Sequence, residues 1–175
     1  GCGNGRDGEF LATRCAKYYA IDSSASAIQS FSDRVTVPDN QSVFNFFCGN
    51  VLDFKFGALT APIGGKIVVY SRFSLHSMDE ATEIYVLNEF ARLNQARILA
   101  VEARTILDPL YGVGIKVSRN AFETDHYRRF IDPRDFLDFS MNQTDIQYFA
   151  LSDGVAVTET ENPVVMRAIV RGRNL

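Results

Sequence analysis

Gly1-Cys2-Gly3-Asn4-Gly5-Arg6-Asp7 is the stretch on which the reading of this chain turns. Alternating glycines let the backbone turn tightly and approach a ligand closely, because no Cβ stands in the way and positive φ is open to them. Glu9, Phe10, Leu11, Ala12, Cys15 and Ala16 follow as a good helix sequence. The loop is therefore expected to present its amides at a helix N-terminus, and Asp7 suits the positive end of that dipole. The spacing discriminates between ligands. A dinucleotide fingerprint requires G-x-G-x-x-G, and its last place here holds Arg6. Farther on, Tyr18-Tyr19-Ala20-Ile21 reads as a short strand ending in Asp22, at about the distance where nucleotide-binding βαβ units set a carboxylate on ribose hydroxyls.

Loop, helix, strand and acid in this order resemble motif I and the following acid of the class I S-adenosylmethionine-dependent methyltransferases. The resemblance implies an α/β fold: a Rossmann-like sheet, mostly parallel, with an antiparallel C-terminal strand. It implies S-adenosylmethionine as cofactor, held by Gly1, Cys2, Gly3, Asn4, Gly5 and Arg6 and by Asp22 with Ser23. In that family the glycine loop follows the central strand of the sheet. Residue 1 already belongs to the loop, so that first central strand is expected to be absent and the chain to be an N-terminally incomplete part of a longer polypeptide.

The 175 residues fit a single domain with a real core. Formal net charge is -3 and the pI about 5.4, with acids and bases interspersed, which disfavours a protein gripping nucleic acid through its phosphates. Cys2, Cys15 and Cys48 lack C-x-x-C spacing and are expected to be reduced thiols of a cytoplasmic protein, neither a disulfide set nor a zinc site. No apolar run approaches membrane-spanning length.

Ser23 or Ser24 caps a small-residue helix expected to end near Phe31, Pro38–Ser42 reads as a turn, and Val43–Cys48 as a strand with aromatic faces. Gly49-Asn50-Val51 comes next. By the resemblance, Asn50 and Val51 contact adenine; an ordinary strand-ending turn is the alternative. Lys66-Ile67-Val68-Val69-Tyr70 is a β-branched run suited to a buried parallel strand, and its carboxyl end, Ser71-Arg72-Phe73-Ser74-Leu75-His76, falls where open α/β sheets bind ligands. This segment resembles a Y-[S/A]-R-F-x-L-H element of a bacterial methyltransferase subgroup, which places Tyr70, Ser71 and Arg72 around the methionine part of the cofactor. His76, before an expected capping box Ser77-x-x-Glu80, is either a support beneath the site or a participant in chemistry.

A sheet-covering helix is expected over 81–94 with Ile84, Leu87, Phe90 and Ala91 inward, then a buried strand Arg97–Val101. Glu102 and Arg104 follow that strand as pocket candidates, or pair with each other at the rim. Residues 108–124 lack periodicity and read as a long loop, a lid or a disordered segment. Asp125-His126-Tyr127-Arg128-Arg129-Phe130 resembles a D-H-Y-R-R-[F/Y] signature of the same subgroup; the alternative is a solvated basic helix start. Pro133 opens a short helix, and 146–157 reads as a hairpin turning at Asp153-Gly154 before a last strand, Val164–Val170.

Methyl transfer from a sulfonium is an in-line displacement, so the protein holds the partners in line and excludes water. A hydroxyl acceptor also needs a base. His126 is the first candidate, with Glu102 and His76 behind it, while Arg104, Tyr127, Arg128 and Arg129 are candidates for holding the acceptor. No metal is required: the histidines lie far apart without neighbouring ligands at metal spacing. The resemblance implies a small-molecule or glycan-like acceptor and O-methylation, with neither nucleic acid nor membrane as partner. The rival functions are a non-catalytic methyltransferase-like interaction module and, behind it, a dinucleotide oxidoreductase.

Overall fold

A computed structural model describes residues 1–35 and 43–173. The expected turn at Pro38–Ser42 lies outside the described residues. Contacts gather the chain into two compact units, Gly1–Lys55 and Phe56–Leu175.

In the first unit, helix α1 (Gly8–Ala12) precedes strand β1 (Tyr18–Asp22), helix α2 (Ala25–Arg34) and strand β2 (Phe44–Cys48). The strands pair in parallel from Tyr18 opposite Phe44 to Asp22 opposite Cys48. Phe31, fully buried, is the centre of this unit, with the rings of Tyr18, Phe44 and Phe46 edge-on around it at 5.3–6.1 Å. α1 stops at Ala12, short of the expected Cys15 and Ala16, with Thr13 as its C-cap. α2 is capped by Ser24, whose hydroxyl accepts from Ala27 N, and outruns its expected end by reaching Arg34, which pairs with Glu9.

The second unit is built on a mixed four-stranded sheet. Strand β3 (Ile67–Arg72) runs parallel to β4 (Arg97–Arg104), and β4 pairs antiparallel with the last strand, β9 (Val165–Gly172), which pairs antiparallel with β8 (Thr144–Ser152). Only β9, the C-terminal strand, thus runs against the other three, and because it lies between β4 and β8 two of the three pairings are antiparallel and the sheet is mixed. Both parallel strands include charges that the sequence reading placed beyond them: Arg72, Glu102 and Arg104 are strand residues. β3 is not buried on both faces, since Val68 and Tyr70 alternate outward at 58% and 43% exposure while its one partner here is β4. Leu99, Val101, Ala168 and Val170 fill the opposite face.

Helix α3 (Glu80–Arg92) begins at Asp79, whose carboxylate accepts from Thr82 N at 2.7 Å. This replaces the expected capping box, because Ser77 turns back to donate to Ser74 O. The buried stripe of α3 is Glu83, Val86, Leu87 and Phe90, whereas Ile84 is exposed. Glu83 is drawn inward by Arg129, with which it pairs.

Residues 108–124 are not a structureless loop: turns over 108–113 lead into strands. Strands β5 (Ile115–Ser118), β6 (Ala121–Glu123) and β7 (Tyr127–Arg129) form a small antiparallel sheet. Arg119-Asn120 makes the first hairpin turn with Asn120 at φ 56°, and Tyr111, Phe122 and Phe130 pack edge-on at 5.2–6.1 Å. Helix α4 (Pro133–Gln143) has Asp132 as N-cap and leads into β8. After the Asp153-Gly154 turn the chain forms no second strand over Val155–Val157, and the antiparallel partner of β8 is β9.

Candidate functional site

Each unit brings site candidates to the carboxyl end of its strands. In the first unit Asp22 organises the loop. Its Oδ2 accepts from Gly3 N at 2.8 Å and its Oδ1 from Ser24 N at 2.9 Å, so one carboxylate fixes both the glycine loop and the start of α2. Gly1 and Cys2 donate their backbone nitrogens to Ile21 O at 2.6 and 2.9 Å, holding the loop along the end of β1. Gly3 and Gly5 both have positive φ, 55° and 77°, for different reasons. A Cβ on Gly3 would meet nothing within 4 Å, whereas one on Gly5 would stand 2.1 Å from the Phe31 ring. Gly3 therefore leaves a bare, open backbone, and Gly5 admits the core. Arg6 is directed outward beside Asp7, and Asn4 accepts from Arg34 through its carbonyl. Burial pushes the Cys2 thiol up. Ser23 is exposed next to Asp22.

Asn50 caps the 3-10 turn Val51–Asp53, its Oδ1 accepting from Leu52 N at 2.9 Å. Val51 N–H is then the first amide of that turn and has no partner within it. Gly49 N donates to Asp22 O, which ties this turn to the end of β1. The strand-ending turn of the sequence reading is what these residues form.

In the second unit Tyr70, Arg72 and Glu102 line a groove of about 380 Å³ together with Tyr148 and Arg167. Glu102 does not pair with Arg104. Its Oε1 accepts from Arg72 Nε at 2.9 Å and its Oε2 from Arg167 Nε at 2.5 Å. Arg104 instead binds Asp108 at 3.1 Å and Glu161, which also accepts from Arg128 at 3.1 Å. Ser71 is buried, and its hydroxyl meets that of Ser74 at 2.6 Å. Between them Phe73 holds φ 55°, a left-handed conformation that a bulky side chain adopts at a cost. Its nitrogen donates to Glu102 O at 2.8 Å, which locks the turn to β4.

Within the Asp125–Phe130 segment Tyr127–Arg129 is a strand, not a helix start, so the side chains of these three residues alternate. Tyr127 and Arg129 reach Met78 O, at 3.5 and 3.0 Å, and Arg129 also takes Glu83, which anchors β7 to the start of α3. Arg128 points the other way, to Glu161. His126 is half exposed, and its Nδ1 lies 2.8 Å from Asp125 Oδ1. Hydrogen bonds from Thr124 and His126 hold the Asp125 carboxyl down at about 2. His76 is different: burial first, then Arg104, Arg128, His126 and Arg129, lower its pKa to about 4, so the ring is neutral near pH 7. Its buried Nδ1 has no partner, and its ring packs edge-on against Phe73 at 5.4 Å.

Arg167, Tyr148, Asp108 and Asp125 escaped the sequence reading as site residues. Only Asp125 carried a visible signal, its place beside His126. Arg167 and Tyr148 arrive through the register of β9 and β8, which set Arg167 opposite Glu102 and Tyr148 opposite Ile169. Among the described residues, no His, Cys, Asp or Glu group of three or more has a metal-holding arrangement, and no helix is long and apolar enough to cross a membrane.

No family model and no curated protein matches the chain. Solved structures do match it. An S-adenosylmethionine-dependent methyltransferase of Methanosarcina mazei superposes with a TM-score of 0.76 at 18% identity, over 100% of this chain and 90% of that one. The N-methyltransferase NodS of Bradyrhizobium japonicum, in complex with S-adenosyl-L-homocysteine, gives 0.64 at 15% identity over 98% and 74% of the two chains. An S-adenosylmethionine-dependent methyltransferase of Clostridium acetobutylicum gives 0.66 at 11% identity over 97% and 80%. At these identities the likeness shows the fold, and the chain folds as these S-adenosylmethionine-dependent methyltransferases do.

Proposed function

We propose that the chain is an S-adenosylmethionine-dependent methyltransferase that methylates a hydroxyl of a small, polar, sugar-like acceptor. The observation that carries the cofactor assignment is the Asp22 carboxylate, which fixes a glycine loop whose Gly3 backbone is open on one side. A carboxylate has about four acceptor directions, so Asp22 keeps capacity for ribose hydroxyls after taking two amides. Asn50 Oδ1 and the Val51 amide would supply the acceptor and donor that adenine requires; the assignment of Tyr70, Ser71 and Arg72, at the carboxyl end of β3, to the methionine portion rests on the resemblance of their sequence.

When bound, the cofactor supplies a methyl group on a sulfonium that leaves as a neutral thioether. The residues of this chain would then position the acceptor and take its proton. Asp125 holds His126 by Nδ1, which leaves Nε2 as the acceptor atom; this is the arrangement of a histidine base oriented by a carboxylate. Glu102, with both oxygens engaged by arginines, is better suited to position Arg72 and Arg167 along the groove than to take a proton. His76, neutral and buried, is a support for the turn that carries Phe73. Arg104 and Arg128 line the acceptor side through Glu161, and Tyr127 and Arg129 hold β7 in place.

Calorimetry with S-adenosylhomocysteine and with NAD tests the cofactor. Binding of the former, weakened roughly tenfold or more by Asp22→Asn, is expected. Binding of NAD alone would overturn the assignment. With labelled S-adenosylmethionine and a panel of polyhydroxylated acceptors, His126→Asn is expected to lower kcat roughly 100-fold or more and Asp125→Asn less. Methyl transfer to amines alone would refute the hydroxyl acceptor.

A further inference from the structure

At the amino ends of β3 and β4, opposite the end that carries the groove, lies a second cavity of about 300 Å³. Its wall brings together Lys66, Arg97, Arg171 and Arg173 against one carboxylate, Asp145. Asp145 accepts from Arg173 Nε at 3.0 Å and from Arg171 at 3.4 Å, which leaves the cluster strongly positive. Lys66 has no ion-pair partner among the described residues.

Arg97 gives the cavity its character. It is 4% exposed, yet all of its hydrogen bonds go to carbonyls: Nη2 donates to Ala91 O at 2.7 Å and Arg173 O at 2.8 Å, and Nη1 to Gln95 O at 3.4 Å. Its Nε is buried with no partner. Gly172 makes room for it, since a Cβ there would stand 2.2 Å from that Nε. A buried cation with no counter-charge among the described residues is expensive, and carbonyl dipoles offset only part of the lost hydration. The chain nevertheless places three more cations beside it. Structural ion pairing would have set carboxylates in their midst.

We propose that this cavity is a binding site for a phosphoryl dianion, free or borne by a small phosphate monoester. Guanidinium groups match phosphate oxygens in pairs, and an ammonium adds a point charge at the mouth. Asp145 keeps Arg171 and Arg173 extended along β8 and β9 rather than splayed into solvent. The site shares no residue with the proposed cofactor and acceptor sites, so it stands whether or not methyl transfer is the activity.

The test is thermal stabilisation and calorimetry of the full chain with inorganic phosphate, with glucose 6-phosphate, and with sodium chloride at matched ionic strength. Arg97 is a buried residue whose replacement threatens folding, so the variants are Lys66→Ala and Arg171→Ala, both on the exposed side. Phosphate is expected to stabilise the protein beyond chloride, and each variant to weaken its binding roughly three- to tenfold. Equal binding of the two phosphates means that the phosphoryl group alone is recognised, and tighter binding of the ester that the rest of the cavity contributes. Equal shifts in phosphate and chloride, or binding untouched by both variants, would overturn the proposal.

Discussion

Replacing Gly5 and Gly3 by alanine, one at a time, separates what holds the loop from what the loop holds. At Gly5 the new methyl carbon would stand 2.1 Å from the ring of Phe31, which is fully buried among Tyr18, Phe44 and Phe46 and has no empty side to move into. Overpacking of that kind costs about 1–3 kcal/mol. The backbone at φ 77° adds about 1–2 kcal/mol for any residue with a Cβ. Together these are about 2–5 kcal/mol, which for a chain of this length lowers the melting midpoint by roughly 4–20 °C. Gly3→Ala carries only the backbone part, about 1–2 kcal/mol, since nothing lies within 4 Å of the added carbon. That same open side is where a ligand would approach, so Gly3→Ala should abolish or strongly weaken S-adenosylhomocysteine binding at small cost in stability. Differential scanning calorimetry and titration calorimetry on the two variants are the assays. Phe31→Leu should restore part of the stability of Gly5→Ala by freeing space. The reasoning fails if Gly3→Ala melts as low as Gly5→Ala, or if it binds the ligand as the parent does.

Other expectations concern charge. The His76 pKa is lowered from 6.5 to about 4, so the unfolded chain binds the extra proton first as pH falls; stability is fully present above about 6.5 and declines towards pH 4 by roughly 3 kcal/mol. Burial raises the pKa of Glu83, which works in the opposite sense just above its ordinary range, so denaturation of the parent and His76→Phe across pH 4–7 should be compared by difference. A parallel pair of curves would refute the buried neutral imidazole. Arg129→Met leaves Glu83 buried without its partner and should cost about 3–5 kcal/mol in urea unfolding, largely recovered by adding Glu83→Leu. Arg167→Met removes one of the two arginines on Glu102; because Arg167 is 37% exposed, about 1 kcal/mol is expected, and a loss as large as that of Arg129→Met would contradict it.

The loop, α1, β1, Asp22 and the Ser24 cap were legible because each rests on local chemistry: glycines, a strand run and a capping hydroxyl. Failures came where distant parts decide. Glu83 was not among the residues the helix pattern set inward, and Arg129, 46 positions away, is what draws it in. Glu102 and Arg104 looked like mutual partners because they are neighbours in sequence, but strand residues two apart meet different cross-strand partners, and β9 brings Arg167 to one while Glu161 reaches the other. The small sheet β5–β6–β7 went unread since its turn is Arg119-Asn120 without a glycine, and its aromatic packing joins Tyr111 to Phe130. Phe73 gave no warning at all. A phenylalanine in left-handed conformation is imposed by the hydrogen bonds of Ser71, Ser74 and Glu102 around it.

The charges of the second unit also differ between the two ends of its sheet. At the carboxyl end every cation has a carboxylate: Glu102 answers Arg72 and Arg167, while Asp108 and Glu161 answer Arg104 and Arg128, three carboxylates for four arginines. Such a lattice keeps its arginines occupied, so an anionic acceptor would have to displace a carboxylate already in place. A neutral polyhydroxylated molecule, such as the acceptor proposed above, can exchange hydrogen bonds with both signs at once. At the amino end the same sheet gathers Lys66, Arg97, Arg171 and Arg173 around Asp145 alone. The carboxyl end is thus nearly balanced and the amino end cationic, and the eight residues of β4 lie between the two sites proposed above. An anion that inhibited methyl transfer by competing with the acceptor, rather than binding at the amino end, would break that division.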